Sequence, residues 1–284
     1  MEDWYLITGA AGGLGKAFCA SCARRGFNLF LTDVSDKALA ALSSGIKHEY
    51  GIKVRTFICN LASENGRDSL YAQIEASEIK FTGLINVAGT DIEGEFAYRS
   101  LKSLRNTMQV NMLSAAENIN RVLCFRQENR RFTIINVASL AAYQPMPYKA
   151  LYSATKRFLV HLSLGIREEL KPYNVTVTAL CPSGMPTTKA CVECINAQGI
   201  AGILTTMNTG DVAEYTLKQA LRGKALVIPG VLNKLLGILS TLAPDTLSAA
   251  LVRRQWSKAL QKRCGTLKPQ ENNPTANPVP EISG

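Results

Sequence analysis

Trp4-Tyr5-Leu6-Ile7-Thr8-Gly9-Ala10-Ala11-Gly12-Gly13-Leu14-Gly15-Lys16-Ala17-Phe18 is the run that decides the fold. It reads as a short buried strand, a glycine-rich turn and the start of a helix. Outward from it, short apolar runs keep alternating with longer helix-like stretches, the pattern of βαβ units that build a parallel sheet. Strands are predicted at Trp4–Thr8, Asn28–Thr32, Val54–Cys59, Gly83–Val87, Phe132–Ala138, Val175–Cys181 and Ala225–Ile228. Helices are predicted over Gly13–Arg25, Ser35–Tyr50, Glu64–Ser77, Ser100–Gln127, Leu151–Leu170 and Asp211–Leu221. Ser35, Ser100 and Asp211 stand where capping side chains are wanted. Several strands are apolar almost throughout, as expected where helices cover both faces of a sheet. The reading is α/β: a doubly wound parallel sheet of seven strands in a single domain over residues 1–230. An amphipathic helical extension follows over 231–264, then a Pro- and Asn-rich disordered tail over 265–284.

Bulk composition narrows the function classes. Hydrophobic residues make up 46% and charged residues 19% of 284, which suits a chain with a sizeable core. The opening residues carry no basic leader and no apolar signal core, so the chain reads as cytoplasmic. No stretch reaches the roughly 20 apolar residues of a spanning helix. Eight cysteines in such a chain are expected to be reduced thiols. Cys19/Cys22 fall inside a predicted helix as small core residues, Cys191/Cys194 fall in a more flexible stretch, and the only histidines are His48 and His161, so no metal site is predicted. The net charge of +10 raises the question of nucleic acid. Its distribution answers against it, because seven Lys/Arg stand against one Asp between Val231 and Lys268, with no reading motif around them.

The glycines of the Thr8–Gly15 turn let the backbone bend sharply and approach a pyrophosphate seated on the positive end of the following helix. Asp33 closes the second strand, where a carboxylate can accept hydrogen bonds from both ribose hydroxyls of an adenosine and would repel a 2′-phosphate. That favours NAD(H) as cofactor; a helix cap is the other reading of Asp33. A site for NADP(H) would want a cation, which Val34 and Ser35 do not supply, although Lys16 is close in sequence and keeps NADP(H) open.

Taken together, Thr8-Gly9-x-x-x-Gly13-x-Gly15, Asn86-Val87-Ala88-Gly89, Asn111 in Val-Asn-Met, Ser139 after a strand, and Tyr152-x-x-x-Lys156 resemble the classical short-chain dehydrogenase/reductase family over about residues 4 to 230. The resemblance implies a Rossmann-type fold and an NAD(P)-dependent oxidoreductase. It also implies roles: Tyr152 as general acid/base, Ser139 holding the substrate oxygen, Lys156 contacting the nicotinamide ribose, and Asn111 helping to hold a water in a proton relay. Gly9, Gly13, Leu14, Gly15, Asp33, Asn60, Leu61, Asn86, Ala88, Gly89, Tyr152, Lys156, Pro182 and Thr187 become the cofactor-binding candidates. The chemistry is coherent, since carbonyl reduction needs a proton donor at the developing alkoxide. A tyrosine suits this if its pKa, normally about 10, is lowered. Tyr152 and Lys156 share a helix face at i,i+4, so the ammonium is expected to stabilise the phenolate.

Three departures are visible. Asn60 stands where the family has an acidic residue near the adenine, Val87 replaces an asparagine, and Pro182-Ser183 replaces Pro-Gly, with less backbone freedom. Residues 184–210 are expected to form a mobile substrate loop of small apolar character, with Lys189 as its cation. That points to a small apolar alcohol or ketone, steroid-like or acyl-like. The alternatives are an NADP(H)-dependent 3-oxoacyl-type reductase and a non-catalytic NAD-binding protein. The helices Ser100–Gln127 and Leu151–Leu170 resemble those that pair subunits in the family, which implies a homodimer or homotetramer. Residues Val231–Arg263 read as two amphipathic helices broken at Pro244. Packing over the cleft or another subunit is their favoured role, and contact with an anionic membrane the less favoured one.

Overall fold

The computed structural model describes residues 2–264 apart from Thr188, Gln198 and Ala243. Seven parallel strands form one sheet in the order β3-β2-β1-β4-β5-β6-β7. They are β1 (Trp4–Thr8), β2 (Asn28–Asp33), β3 (Val54–Ile58), β4 (Gly83–Asn86), β5 (Phe132–Val137), β6 (Val175–Leu180) and β7 (Leu226–Val227). Leu6 pairs with Phe30 on one side and Leu84 on the other. The chain therefore starts mid-sheet, winds to the β3 edge, returns to lay β4 beside β1, and winds out to β7. Connections leave β1 and β4 in opposite directions, which opens a crevice at their carboxyl ends, where doubly wound sheets take their ligands.

Alternation along the strands feeds two cores. Tyr5 and Ile7 pack with Leu14 and Phe18 of α1 (Gly13–Ala23) and with Val212 and Leu217 of α9 (Thr209–Leu221). Trp4 and Leu6 pack on the other face with Leu70 and Ile74 of α3 (Glu64–Ala76) and with Ile119 and Val122 of α5 (Ser114–Val122). Each such buried side chain contributes about 1.5–3 kcal/mol relative to exposure, and the period of two sends successive residues to opposite faces.

The elements differ from the predicted ones in a few places. Ser100–Gln127 is not one regular helix: α4 (Leu101–Met108) runs into a π turn over Gln109–Leu113, then α5, then a short 3-10 turn at Leu123–Phe125. Ser100 does cap α4, accepting from Ser103 N. At α2 (Asp36–Tyr50) the Ser35 side chain makes no capping bond. Asn208, not Asp211, caps α9, its Oδ1 accepting from Gly210 N at 2.7 Å. The predicted substrate loop contains α7 (Lys189–Ala197) and α8 (Gly199–Thr205). The long α6 (Ala150–Leu170) precedes β6, and α10 (Val231–Leu242) and α11 (Asp245–Cys264) flank Pro244. The predicted tail over 265–284 lies outside the described residues.

Candidate active site

The Thr8–Gly15 turn is built so that side chains would not fit. Gly9 sits at φ +62°, and a Cβ there would fall 2.7 Å from Ala88 Cα. At Gly15 a Cβ would fall 2.1 Å from the Gly9 carbonyl oxygen, and at Gly13 it would fall 2.9 Å from Thr187 Cγ2. Thr8 Oγ1 accepts from Ala88 N at 3.3 Å, which ties the turn to the end of β4. No side chain caps the start of α1, so its first-turn amides keep the bonding capacity that an anion needs. This cradle fits the pyrophosphate of a dinucleotide. Leu14 offers it backbone alone, because its side chain is buried in the core.

Asp33 reaches back over this turn. Its Oδ2 accepts from Ala11 N at 2.9 Å and its Oδ1 from Ser35 N at 3.1 Å. A carboxylate has about four acceptor positions, so two remain for a ribose. Lys16 is exposed. Asn60 turns its side chain onto its own backbone, accepting from Ala62 N at 3.0 Å. Leu61 is buried, and its carbonyl accepts from Arg67, the guanidinium paired with Glu117. The Asn86 amide is committed inside the sheet: it donates to Asn136 Oδ1 at 2.9 Å and accepts from Asn118 Nδ2 at 3.0 Å. What Asn86 offers the crevice is therefore main chain.

At the carboxyl end of β5 the remaining candidates converge. Ser139 leads the 3-10 turn Leu140–Tyr143, its Oγ accepting from Ala141 N at 3.1 Å. Lys156, buried on α6, donates from Nζ to Val137 O at 2.8 Å and lies 5.6 Å from the centroid of the Tyr152 ring. Gly89 fills the gap beside it: a Cβ there would sit 3.3 Å from Lys156 Nζ and 3.4 Å from Asn111 Oδ1. Asn111, fully buried in the π turn, accepts from Thr90 N at 2.8 Å and donates to Thr90 O at 2.9 Å and to Thr155 Oγ1 at 3.0 Å. Both its amide hydrogens are used, so the side chain clamps the Gly89–Thr90 loop to α6. Pro182, also buried, accepts from Leu140 N at 2.9 Å.

Electrostatics correct one expectation. Tyr152 is not lowered: burial, reinforced by the Asp91 charge, pushes it up to about 12, while a Ser139 hydrogen bond and the Lys149 charge pull the other way. Burial pushes Lys156 down to about 8. The i,i+4 spacing brings the two side chains together, but the cation that lowers Tyr152 is Lys149, and desolvation of the phenolate outweighs it. Near neutral pH Tyr152 is thus a phenol with a proton to give.

Two features were missed in the sequence. Lys149 is buried beside Tyr152, 5.7 Å from that ring's centroid, 5.0 Å from the Trp256 ring centroid, and paired with Asp91 at 2.5 Å and Glu93 at 3.7 Å. A lysine and an aspartate 58 residues apart form no local pattern. The second is Ser183, noted only as a lost glycine. Its hydroxyl bonds to Thr205 O and accepts from Asn233 Nδ2 at 3.0 Å, joining the end of β6 to α8 and α10.

The cysteines of α1 are core residues, and burial holds the Cys19 and Cys22 thiols well above their ordinary range. Among the described residues no three His, Cys, Asp or Glu side chains are grouped to hold a metal ion.

Known proteins place this architecture. The family model described as short chain dehydrogenase matches residues 3–194. The mouse very-long-chain 3-oxoacyl-CoA reductase is 27% identical over 197 residues, 68% of this chain and 62% of that protein. The chain thus spans less than two thirds of the length of that relative. A solved short-chain dehydrogenase from Sphingobium yanoikuyae in complex with NADPH matches with a TM-score of 0.71 at 24% identity, over 84% of this chain and 94% of that one. The bulky-bulky ketone specific alcohol dehydrogenase from Comamonas testosteroni matches with a TM-score of 0.70 at 21% identity, over 97% and 99%. At these identities the solved structures speak for the fold. With well over half its length matched by the family model, the chain belongs to the short chain dehydrogenase family.

Proposed function

We propose that the chain reduces an apolar ketone of the 3-oxoacyl type, with NADH as hydride source and Tyr152 as proton donor. The observation that carries this reading is the convergence of Ser139, Tyr152 and Lys156 at the carboxyl end of β5, beside the glycine turn. The substrate oxygen takes hydrogen bonds from the Ser139 and Tyr152 hydroxyls, which hold the carbonyl for attack. A bound nicotinamide supplies the hydride that goes to the carbonyl carbon. As negative charge develops on the oxygen, Tyr152 gives up its proton, and the phenolate left behind is stabilised by Lys156 and Lys149. Lys156, near 8, is suited to return a proton to Tyr152 between turnovers. With its pKa near 12, Tyr152 is protonated at neutral pH, the state in which a general acid must start a reduction.

Support for the substrate comes from two sides. Met185 and Met207 flank α7 and α8 and pack on the apolar core, Ile195 of α7 is buried, and mouse and Aspergillus clavatus relatives are named very-long-chain 3-oxoacyl-CoA reductases. Asp33 supports NADH, because its carboxylate would meet a 2′-phosphate as like charge. The test is a panel of 3-oxoacyl thioesters and cyclic ketones with NADH and NADPH, followed at the nicotinamide absorbance. Turnover is expected on the thioesters with NADH favoured, and Tyr152→Phe is expected to lower kcat by about 10³-fold with little change in KM, in line with loss of a general acid. Oxidation of neither cofactor over the panel, or full turnover in Tyr152→Phe, would overturn the reading.

A further inference from the structure

The amphipathicity of α10 is inverted. Its protein-facing residues are Asn233 and Gly237, with Ser240 half-buried, spaced i, i+4, i+7 along one side. Asn233 is 2% exposed and donates to Ser183, Thr205 and Pro229. Gly237 lets the helix seat on Leu140 and Ile228, where a Cβ would fall within 3.5 Å of both side chains. All five leucines of the helix, with Val231 and Ile238, are left exposed, Val231 at 76% and Leu242 at 75%. Beyond Pro244, α11 buries Ser248, Val252 and Trp256 and exposes Leu247 and Leu251. Ile203 and Leu204 of α8 are exposed as well. Seven exposed apolar side chains on one twelve-residue helix mark an interaction site rather than ordinary surface composition.

We infer that this face docks on an anionic lipid bilayer, with α10 lying in the plane of the interface. Charge selects this occupant. Between Val231 and Lys268 seven Lys/Arg stand against one Asp, and Lys234, Arg253 and Arg254 are exposed among the leucines. Such a combination of apolar face and cations matches acyl chains beneath anionic headgroups. A second copy meeting the same patch about a two-fold axis would bring together two faces of the same positive sign, which opposes pairing. Insertion across the bilayer is not the mode: α10 has 12 residues, about 18 Å at 1.5 Å per residue. Among the described residues no helix is long and apolar enough to cross a membrane.

The docked face borders the catalytic crevice. α10 rests on the turn that follows Ser139, and Trp256 of α11 lies over Lys149 beside Tyr152. An apolar ketone dissolved in the bilayer would meet the mouth of the site without crossing water. This consequence rests on the proposed reaction; the docking does not.

Flotation of the full chain through a density gradient tests it, with vesicles of phosphatidylcholine alone and of phosphatidylcholine mixed with an equal part of phosphatidylglycerol. The chain is expected to float with the mixed vesicles, weakly with the neutral ones, and less as salt rises. Leu235→Glu/Leu239→Glu is expected to stay at the bottom while keeping its thermal midpoint and its NADH binding. Arg253→Ala/Arg254→Ala is expected to weaken partition about 30-fold. Failure of the full chain to float with anionic vesicles, or equal flotation of the leucine variant, overturns the proposal. So does a lipid-independent dimer that the leucine variant dissolves, which would assign the face to a second copy. Flotation without ketone turnover would leave the docking standing and remove the proposed reaction.

Discussion

Lys156 is an amine held in a place that disfavours its charge. Its folded pKa near 8 lies below the ordinary lysine value of 10.5, so the unfolded chain binds more protons between those pH values. Stability is therefore penalised fully below about pH 8 and the penalty disappears as pH rises toward 10.5; the shift of about 2.5 units corresponds to roughly 3 kcal/mol. Lys156→Met is expected to raise Tm at pH 7, to lose that advantage at pH 10, and to abolish turnover. Denaturation followed at both pH values checks it, and a variant less stable at pH 7 than at pH 10 relative to the parent would refute it. Lys149→Met removes a cation that pulls the Tyr152 pKa down while Asp91 remains, so the alkaline arm of the pH–rate profile is expected to move up. At this scale the sequence disclosed what local spacing encodes, such as Tyr152 and Lys156 on one helix face. It could not disclose the Lys149–Asp91 pair, or that Asn111 would be spent on Thr90 and Thr155, because those partners meet only through the fold.

Among elements, Asn233 does the joining. It bonds the start of α10 to the end of β6 through Ser183 and to the end of α8 through Thr205. Asn233→Ala takes the amide donor from Ser183 Oγ and leaves Thr205 O with the Ser183 hydroxyl alone, at a cost of about 1–3 kcal/mol. It is expected to raise KM for the ketone more than it lowers kcat, since the wall of α8 loosens while Tyr152 and Ser139 stay in place; steady-state kinetics beside a melting curve will show the split. A second tie joins α1 to α9, where Arg25 holds the Glu214 pKa down to about 2. That stabilisation is present above the ordinary carboxylate range and is lost as pH falls toward 2. Both partners are partly solvated, so Glu214→Gln should cost under about 1 kcal/mol, with the difference from the parent vanishing in acid; a difference that persists at about pH 2 would refute the assignment. Regular elements were legible because apolar period marks strand and helix. The π turn at Gln109–Leu113 was not, since an extra residue in a helical turn leaves the surrounding apolar pattern readable as one helix.

The molecule as a whole followed from the alternation of strand and helix: the order of the seven strands needs only right-handed crossovers and one reversal beside β1. The outward direction of the leucines in α10 did not follow, because an amphipathic pattern tells which residues share a face and not which face meets the protein. Exposed Leu101, Met108, Leu113 and Leu164 on α4, the π turn and α6 offer a separate surface for self-association. A homodimer through those helices is proposed, and Leu164→Arg is expected to convert it to a monomer in light scattering. Asp33 carries a consequence for the history of such a chain. Its carboxylate anchors Ala11 of the glycine turn, so a mutation toward a cation at that position would remove an anchor in the same step that it changed the charge. Asparagine can keep one oxygen on Ala11 N, giving up the charge and the bond from Ser35 N. Descendants that drift from one nicotinamide nucleotide toward the other should therefore pass through Asp33→Asn first, and a direct jump to arginine should survive only in backgrounds where the turn is already braced by some other bond.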